Sequence, residues 1–358
     1  MNEDKGIKRR DDMIRFESDY TEGAHPKILE RLVSTNMDQT QGYGEDPYCE
    51  HARELIKKAC GNENLAVHFL VGGTQANATV ISSVLRPHQG VISANTGHIN
   101  CHETGAIEAT GHKVLPLASE DGKITAKQVR EYYDEHWADS SHEHVVQPGM
   151  VYISHPTENG TTYHKDELME LYSVCKELDL PLFIDGARLG YALASEGNDL
   201  SLKDIAENCD VFYIGGTKVG ALFGEAIVIS NEAIQKDFRY HIKLRGGMLA
   251  KGRLLGLQFE TLFTDNLYEE ISEHAITQAM RIRDAFAKKG YQFLYDSRTN
   301  QQFPILPVSL LDYLGKKYSY NFWAKVDDTH HAVRFCTSWA TRVENVDALL
   351  ADIEEYHK

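Results

Sequence analysis

Between Leu65 and Ser230 the chain alternates short apolar, β-prone runs with segments of helical periodicity, and few architectures accept that alternation. Ala66-Val67-His68-Phe69-Leu70 reads as a strand and Ala76 to Leu85 as a helix. Val91-Ile92-Ser93-Ala94 reads as the next strand, followed by Gly97-His98-Ile99-Asn100 and a helix to about Thr110. His112 to Leu117 with Thr125 to Glu135 repeats the pair. So does Met150 to Ser154 with Lys165 to Leu178, where Leu168, Leu171, Tyr172, Cys175 and Leu178 share one face. Pro181 to Asp185, Val211 to Ile214 and Glu225 to Ser230 supply further strands. Strands that alternate with helices are joined by crossovers, so an α/β fold around a large, mostly parallel sheet is expected.

In such sheets ligands bind beyond the carboxyl ends of the strands, so the residues standing there carry the functional signal. After the first strand, Gly72-Gly73-Thr74-Gln75 offers free backbone N–H groups, the positive end of a helix and a hydroxyl, the parts of a phosphate site. The run is not G-x-G-x-x-G, which weighs against a nicotinamide dehydrogenase. His98 lies just past the next strand. Asp185 ends its own strand and is followed by Gly186. The run Val211-Phe212-Tyr213-Ile214-Gly215-Gly216-Thr217-Lys218 ends in an amine flanked by little bulk, and partial desolvation can strip such an amine of its charge and make it a nucleophile.

The 358 residues, 42% of them apolar, exceed what one compact core usually holds. Beyond Ser230 the pattern changes to long helices around Lys243 to Leu262 and Tyr268 to Lys289, with Gly246-Gly247-Met248 interrupting them. Short strands are expected near Tyr291 to Leu294, Phe303 to Val308, Tyr320 to Val326 and Val333 to Ser338, and a helix at Val346 to Tyr356. Residues 1–25 read as an N-terminal arm, 26–245 as the large α/β domain and 246–358 as a smaller α+β domain. In the arm, Arg15 to Tyr20 is extended; His25-Pro26 opens a helix, and Tyr43 to Tyr48 forms a loop.

With 37 basic and 53 acidic residues the formal charge is −16, which disfavours a nucleic-acid partner. Six cysteines lack C-x-x-C spacing, so they suggest reduced thiols rather than a disulfide framework, and no metal is expected. Met1 to Arg15 is charged throughout, without the apolar core of a signal peptide, and no apolar run approaches the roughly 18 residues of a membrane span. The expectation is a cytoplasmic protein that acts on a small molecule, away from membranes.

Taken in order, the Gly73-Thr74 cradle, His98, Asp185 and Lys218 match the needs of pyridoxal 5'-phosphate. That cofactor calls for an amine for covalent attachment, a carboxylate at the pyridine nitrogen, a histidine on the ring face and N–H groups around the phosphate. Further pieces are Ser18-Asp19, Tyr43-Gly44-Glu45-Asp46-Pro47, Asp185-Gly186-Ala187-Arg188, Thr217-Lys218, Gly246-Gly247-Met248 and Val333-Arg334. With them the sequence resembles, over nearly its whole length, the fold type I pyridoxal-phosphate enzymes, and within these the threonine aldolase and β-eliminating lyase family. The resemblance implies that Lys218 binds the cofactor covalently, Asp185 pairs with its ring nitrogen and His98 stacks on the ring. Gly73, Thr74 and Thr217 would hold the phosphate, while Ser18, Arg188 and Arg334 would hold the substrate carboxylate or the cofactor's ring oxygen. It also implies a homodimer or homotetramer in which Tyr43 reaches a partner's cofactor.

Two departures bear on chemistry. Thr157-Glu158-Asn159-Gly160 stands where the family's aldolases carry a histidine between threonine and asparagine; with Thr161 it is more similar to the low-specificity and phenylserine-aldolase-like branch. Leu249 stands where an arginine is common, with Lys251 and Arg253 nearby, so the phosphate's cationic partner stays open. The implied activity is cleavage of a β-hydroxy-α-amino acid such as threonine, allo-threonine or a phenylserine to glycine and an aldehyde, with His98 or Glu158 as base. The alternatives are β-elimination, amino transfer, and an idle binding fold, which the set Asp185, Arg188, Lys218 and Arg334 argues against.

Overall fold

The computed structural model describes residues 13–356, so the first twelve residues of the expected arm lie outside it. Its main sheet has seven strands in the order Ala66–Leu70, Glu225–Ile229, Val211–Gly215, Leu182–Asp185, Gln147–Ser154, Gln89–Ala94 and Val114–Leu117. All neighbours run parallel except Glu225–Ile229, which is antiparallel to both of its partners. The α/β fold class read from the sequence is therefore the observed one.

Alternate side chains of these strands enter two separate cores, as the pleat requires. Ile92, Val151, Ile153, Ile184, Phe212 and Ile214 pack on one face. Val91, Met150, Tyr152, Phe183, Val211 and Tyr213 pack on the other. Each large buried side chain contributes about 1.5–3 kcal/mol relative to exposure, which explains why these strands read as near-continuous apolar runs.

Several elements differ from expectation. The helix after the first strand begins at Gly73, three residues earlier than read. The helix expected to run to Thr110 is only His98–Cys101, because Thr104 and Gly105 take left-handed backbone (φ 53° and 75°) that no helix accommodates; a short turn at Glu108–Thr110 follows. Lys243 to Leu262 is two helices, Phe238–Leu244 and Arg253–Leu262, parted by the glycine pair. The strand expected at Tyr291 to Leu294 shrinks to a single bridge between Phe293 and Pro304.

A second, antiparallel sheet orders Ile305–Pro307, His330–Cys336 and Asn321–Lys325, with Gln301–Gln302 also paired to His330–Cys336. It packs with the helices Val308–Leu314 and Val343–Glu355 over a third core that includes Phe286, Leu310, Phe335 and Leu349. The N-terminal segment joins this core: Ile14–Arg15 pairs in parallel with Tyr318–Ser319, and Phe16 is buried beside Tyr318. The helix Leu267–Lys288 binds the two halves together, with Ala275 and Ile276 in the first core and Ile282 and Phe286 in the third. Among the described residues no helix is long and apolar enough to cross a membrane.

Candidate active site

The carboxyl ends of the parallel strands open into a cavity of about 800 Å³. Gly73, Thr74, His98, Glu158, Asp185, Arg188, Thr217, Lys218 and Arg334 all line it. Nine of the eleven residues singled out in the sequence are thus brought to one space.

Asp185 is buried at the edge where strand pairing ends. Its Oδ2 accepts the Tyr152 hydroxyl at 2.5 Å and the Asn77 amide at 3.1 Å; its Oδ1 accepts the Ala187 N–H at 3.0 Å and the Tyr213 hydroxyl. Burial alone would raise its carboxyl, but the charge of His98 and these donors outweigh it and hold the group below the usual carboxylate range. Lys218 follows two glycines whose missing side chains are required: a Cβ on Gly215 would lie 2.2 Å from the Ala187 carbonyl oxygen, and one on Gly216 2.7 Å from that of Gly224. Burial and the nearby Arg188 charge lower the Lys218 amine, against the opposing pull of Asp19, Asp185 and Glu225. An amine lowered in this way is a more available nucleophile.

His98 is fixed through a carboxylate. Its Nδ1 lies 3.0 Å from Glu103 Oε1, which also accepts the Asn77 amide at 2.8 Å, so Asn77 links the His98 and Asp185 carboxylate partners. Burial disfavours the charged ring, yet Glu103, Asp185 and Glu158 together raise His98. Glu158 Oε1 accepts the Ser154 hydroxyl at 2.7 Å and the His98 backbone N–H at 3.1 Å, while its Oε2 is buried without a partner. Burial raises the Glu158 carboxyl, with Ser154 opposing. Its neighbour Asp185 is shifted in the opposite direction.

Arg188 is gripped by Asp19, its Nε at 2.6 Å and Nη2 at 3.1 Å from the carboxylate oxygens. Asp19 is fully buried and also accepts the Asn300 amide at 2.9 Å. Arg334 donates to Gln301 Oε1 and to the Glu17 carbonyl, both at 3.0 Å, lies over Trp323, and keeps a buried Nε without a partner. Ser18 does not line this cavity: Asp19 turns inward to Arg188, whereas Ser18 borders a separate cleft beside Ser338 to Arg342. Tyr43 also lies elsewhere within this chain, at left-handed φ 62° beside Arg53, Arg239 and Met248, with the Lys243 ammonium 5.2 Å from its ring centre.

The phosphate-type cradle is intact. Gly72 caps the helix Gly73–Val84 without a side chain, and among the described residues no protein group accepts the N–H of Gly73, Thr74 or Gln75. Gly73 and Thr74 line the cavity that holds Lys218 and Asp185. The donor set fits a pyridine-ring phosphate ester: orphan N–H groups at one end, an anionic carboxylate and a free amine at the other.

Sequence reading assigned no role to Asp19 or Asn77, although both stand in its motifs, and did not single out Glu103, Tyr152, Tyr213 or Glu225. For Asn77 and Glu103 a signal existed: an amide in the first turn of the cradle helix and an acid five residues after His98.

Architecture is the first point of likeness to known proteins. The chain shares the fold of a Thermus thermophilus aspartate aminotransferase mutant, with TM-score 0.68 at 16% identity, covering 95% of this chain and 91% of that one. The family described as beta-eliminating lyase matches residues 15–334, and the chain belongs to it; it is an enzyme of a lyase family. A low specificity L-threonine aldolase from Pseudomonas sp. (strain NCIMB 10558) is 31% identical over 350 residues, 96% of this chain and 98% of the relative. A solved structure of Leishmania major threonine aldolase matches with TM-score 0.92 at 43% identity, over 95% of this chain and 98% of that one. The family resemblance drawn from the sequence is borne out.

Proposed function

We propose that this lyase uses pyridoxal 5'-phosphate to cleave a β-hydroxy-α-amino acid, of the threonine, allo-threonine or phenylserine type, into glycine and an aldehyde. The observation that carries the proposal is the joint presence, in one cavity, of a lowered Lys218 amine, the anionic Asp185, His98 and the uncapped helix start at Gly73. When bound, the cofactor supplies a ring that withdraws the electron pair left at the substrate's α carbon. Lys218 anchors it, Asp185 keeps a proton at the ring nitrogen, His98 covers the ring face, and Gly73, Thr74 and Thr217 hold the phosphate. Arg334 and the free edge of Arg188 orient the substrate carboxylate, for which a planar fork is suited. Glu158 or His98 takes the proton of the β-hydroxyl. A homodimer or homotetramer in the cytoplasm, with Tyr43 reaching a partner's site, completes the reading.

The test is product analysis of purified protein with pyridoxal phosphate and threonine, allo-threonine or phenylserine. Glycine and the matching aldehyde are expected, with Lys218→Ala losing both the cofactor's visible absorption and the activity. Glu158→Gln is expected to lower kcat about 10²- to 10⁴-fold. Ammonia with 2-oxobutanoate from threonine or allo-threonine, or with phenylpyruvate from phenylserine, would move the assignment to β-elimination, and full activity in Lys218→Ala would end it.

A further inference from the structure

Glu225 has no task in the arrangement above, yet its position is specific. It opens the antiparallel strand Glu225–Ile229, in register with Leu70 on one side and Gly215 on the other. Leu70 ends the strand that leads to the Gly73 cradle, and Gly215 ends the strand that leads to Thr217. The carboxyl group therefore sits between the two components of the anion site. It lines the same cavity as Gly73 and Thr74. Its Oε1 accepts the Thr217 hydroxyl at 2.8 Å and its Oε2 the Gly216 N–H at 3.1 Å, while the Thr217 oxygen accepts the Gly224 N–H at 3.0 Å.

Two facts make a carboxyl group in that place informative. First, among the described residues of this chain an anion bound there meets no free arginine. Arg188 and Arg334 are the only arginines among the described residues that line the cavity, and they are engaged by Asp19 and by Gln301 and Glu17. Leu249 borders a different, smaller cleft with Tyr43 and Arg53. Second, a carboxylate beside a phosphate repels it, whereas a carboxylic acid donates a hydrogen bond to it. The charged and titratable groups facing Glu225 are Lys218, Asp185, Tyr213 and, from the helix Leu267–Lys288, Tyr268. The strand Ala66–Leu70 brings only His68, which packs against Phe238, and the first turn of the cradle helix carries no charged side chain. Burial raises the Glu225 carboxyl to about 8, against the lowering effects of Thr217, Lys218 and the Gly216 N–H.

Resting on the cofactor reading above, we infer that Glu225 is a proton-carrying ligand of the cofactor's phosphate: one proton is held between a carboxyl oxygen and a phosphate oxygen. No bond other than that hydrogen bond forms, and nothing is consumed. The phosphate is gripped while the proton is present and released as it leaves. A raised carboxyl is neutral below its folded value, so the grip is complete below about pH 8 and lost as pH rises through it.

The experiment compares two ligands on the cofactor-free protein: pyridoxal phosphate and pyridoxal, which lacks the phosphate. Dissociation constants are read by visible absorbance. Attachment at Lys218 is common to both ligands and cancels in the ratio of their affinities. A phosphate monoester, with a second pKa of about 6, stays dianionic from about pH 7 to about pH 9. The ratio favouring pyridoxal phosphate should fall about tenfold over that interval, because the protonated share of a group titrating near pH 8 falls from about nine-tenths to about one-tenth. Glu225→Gln, a neutral donor at both pH values, should keep the lower-pH ratio throughout. A flat ratio in the parent protein, or the same fall in Glu225→Gln, overturns the inference while leaving the cofactor reading standing. If neither ligand binds, the cofactor reading fails and takes this inference with it. The parent measurement alone decides the matter if the variant does not fold.

Discussion

Removing Asp19 tests the buried charge balance behind the cavity. Its carboxylate is fully buried, and the Arg188 guanidinium, 12% exposed, meets it with two hydrogen bonds of 2.6 and 3.1 Å. Solvent screening therefore offers little discount. Asp19→Ala leaves the Arg188 charge buried and uncompensated near Lys218, and takes one acceptor from Asn300, which keeps the Thr337 carbonyl at 2.8 Å. Breaking a buried pair from one side costs about 3–5 kcal/mol. At a urea m-value of about 3 kcal/mol/M, that lowers the unfolding midpoint by about 1–2 M with little change in m. Asp19→Ala with Arg188→Leu should recover most of the loss, because replacing both charges with apolar groups is often neutral. The sign of the pH dependence follows from the depressed Asp19 carboxyl. Its stabilisation is complete above the ordinary aspartate value and is lost as pH falls through the folded one. The gap between parent and Asp19→Ala should therefore narrow on acidification. Urea titrations followed by fluorescence measure all three; an Asp19→Ala midpoint within about 0.3 M of the parent, about 1 kcal/mol at that m-value, would refute the reasoning.

Two further outcomes follow. Glu103→Gln removes the bond that raises His98, so a rate profile limited by a neutral His98 should have its acid limb moved to lower pH, and an unmoved limb would exclude the pair from proton handling. Gly186→Ala places a Cβ 2.0 Å from the Tyr213 carbonyl oxygen, forcing apart the strands that carry Asp185 and Lys218; a cost of about 1–3 kcal/mol or more is expected, and a normal melting curve would contradict the packing.

What the sequence made legible was local. A strand that ends in aspartate, a strand that ends in Gly-Gly-Thr-Lys, and a glycine turn before a helix announce themselves within a few residues, and the parallel sheet then brings them to one edge. What it hid was contact across distance. Asp19 meets Arg188 from 169 positions away, and no periodicity in either neighbourhood encodes that pairing. For the same reason Ser18 was favoured over its neighbour: the sequence identifies an extended arm but not which of two adjacent residues faces inward. The helix after His98 was overread because Thr104, unlike Gly105, gives no composition signal of its left-handed backbone.

The cavity's carboxyl groups also explain how so much acid is tolerated beside one another. Asp19 is held as an anion by Arg188, and Asp185 by the His98 charge, two tyrosine hydroxyls, an amide and a backbone N–H. Glu158 and Glu225 receive hydroxyl and backbone donors but, among the described residues, no ion-pair partner, and burial raises both. Environments that push neighbouring acids in opposite directions divide them into fixed charges and proton carriers. The fixed charges lie where a permanent negative charge is useful, Asp19 against Arg188 and Asp185 where the proposed reading puts the cofactor's ring nitrogen. The two raised acids stand apart from these, Glu158 beside His98 and Glu225 beside the cradle proposed for the phosphate. Exchanging the environments, for example by giving Glu225 an arginine partner through Leu70→Arg, would convert a proton carrier into a fixed anion. Such a variant should lose the pH-dependent preference for pyridoxal phosphate over pyridoxal, and retention of that preference would show that the division does not govern the site.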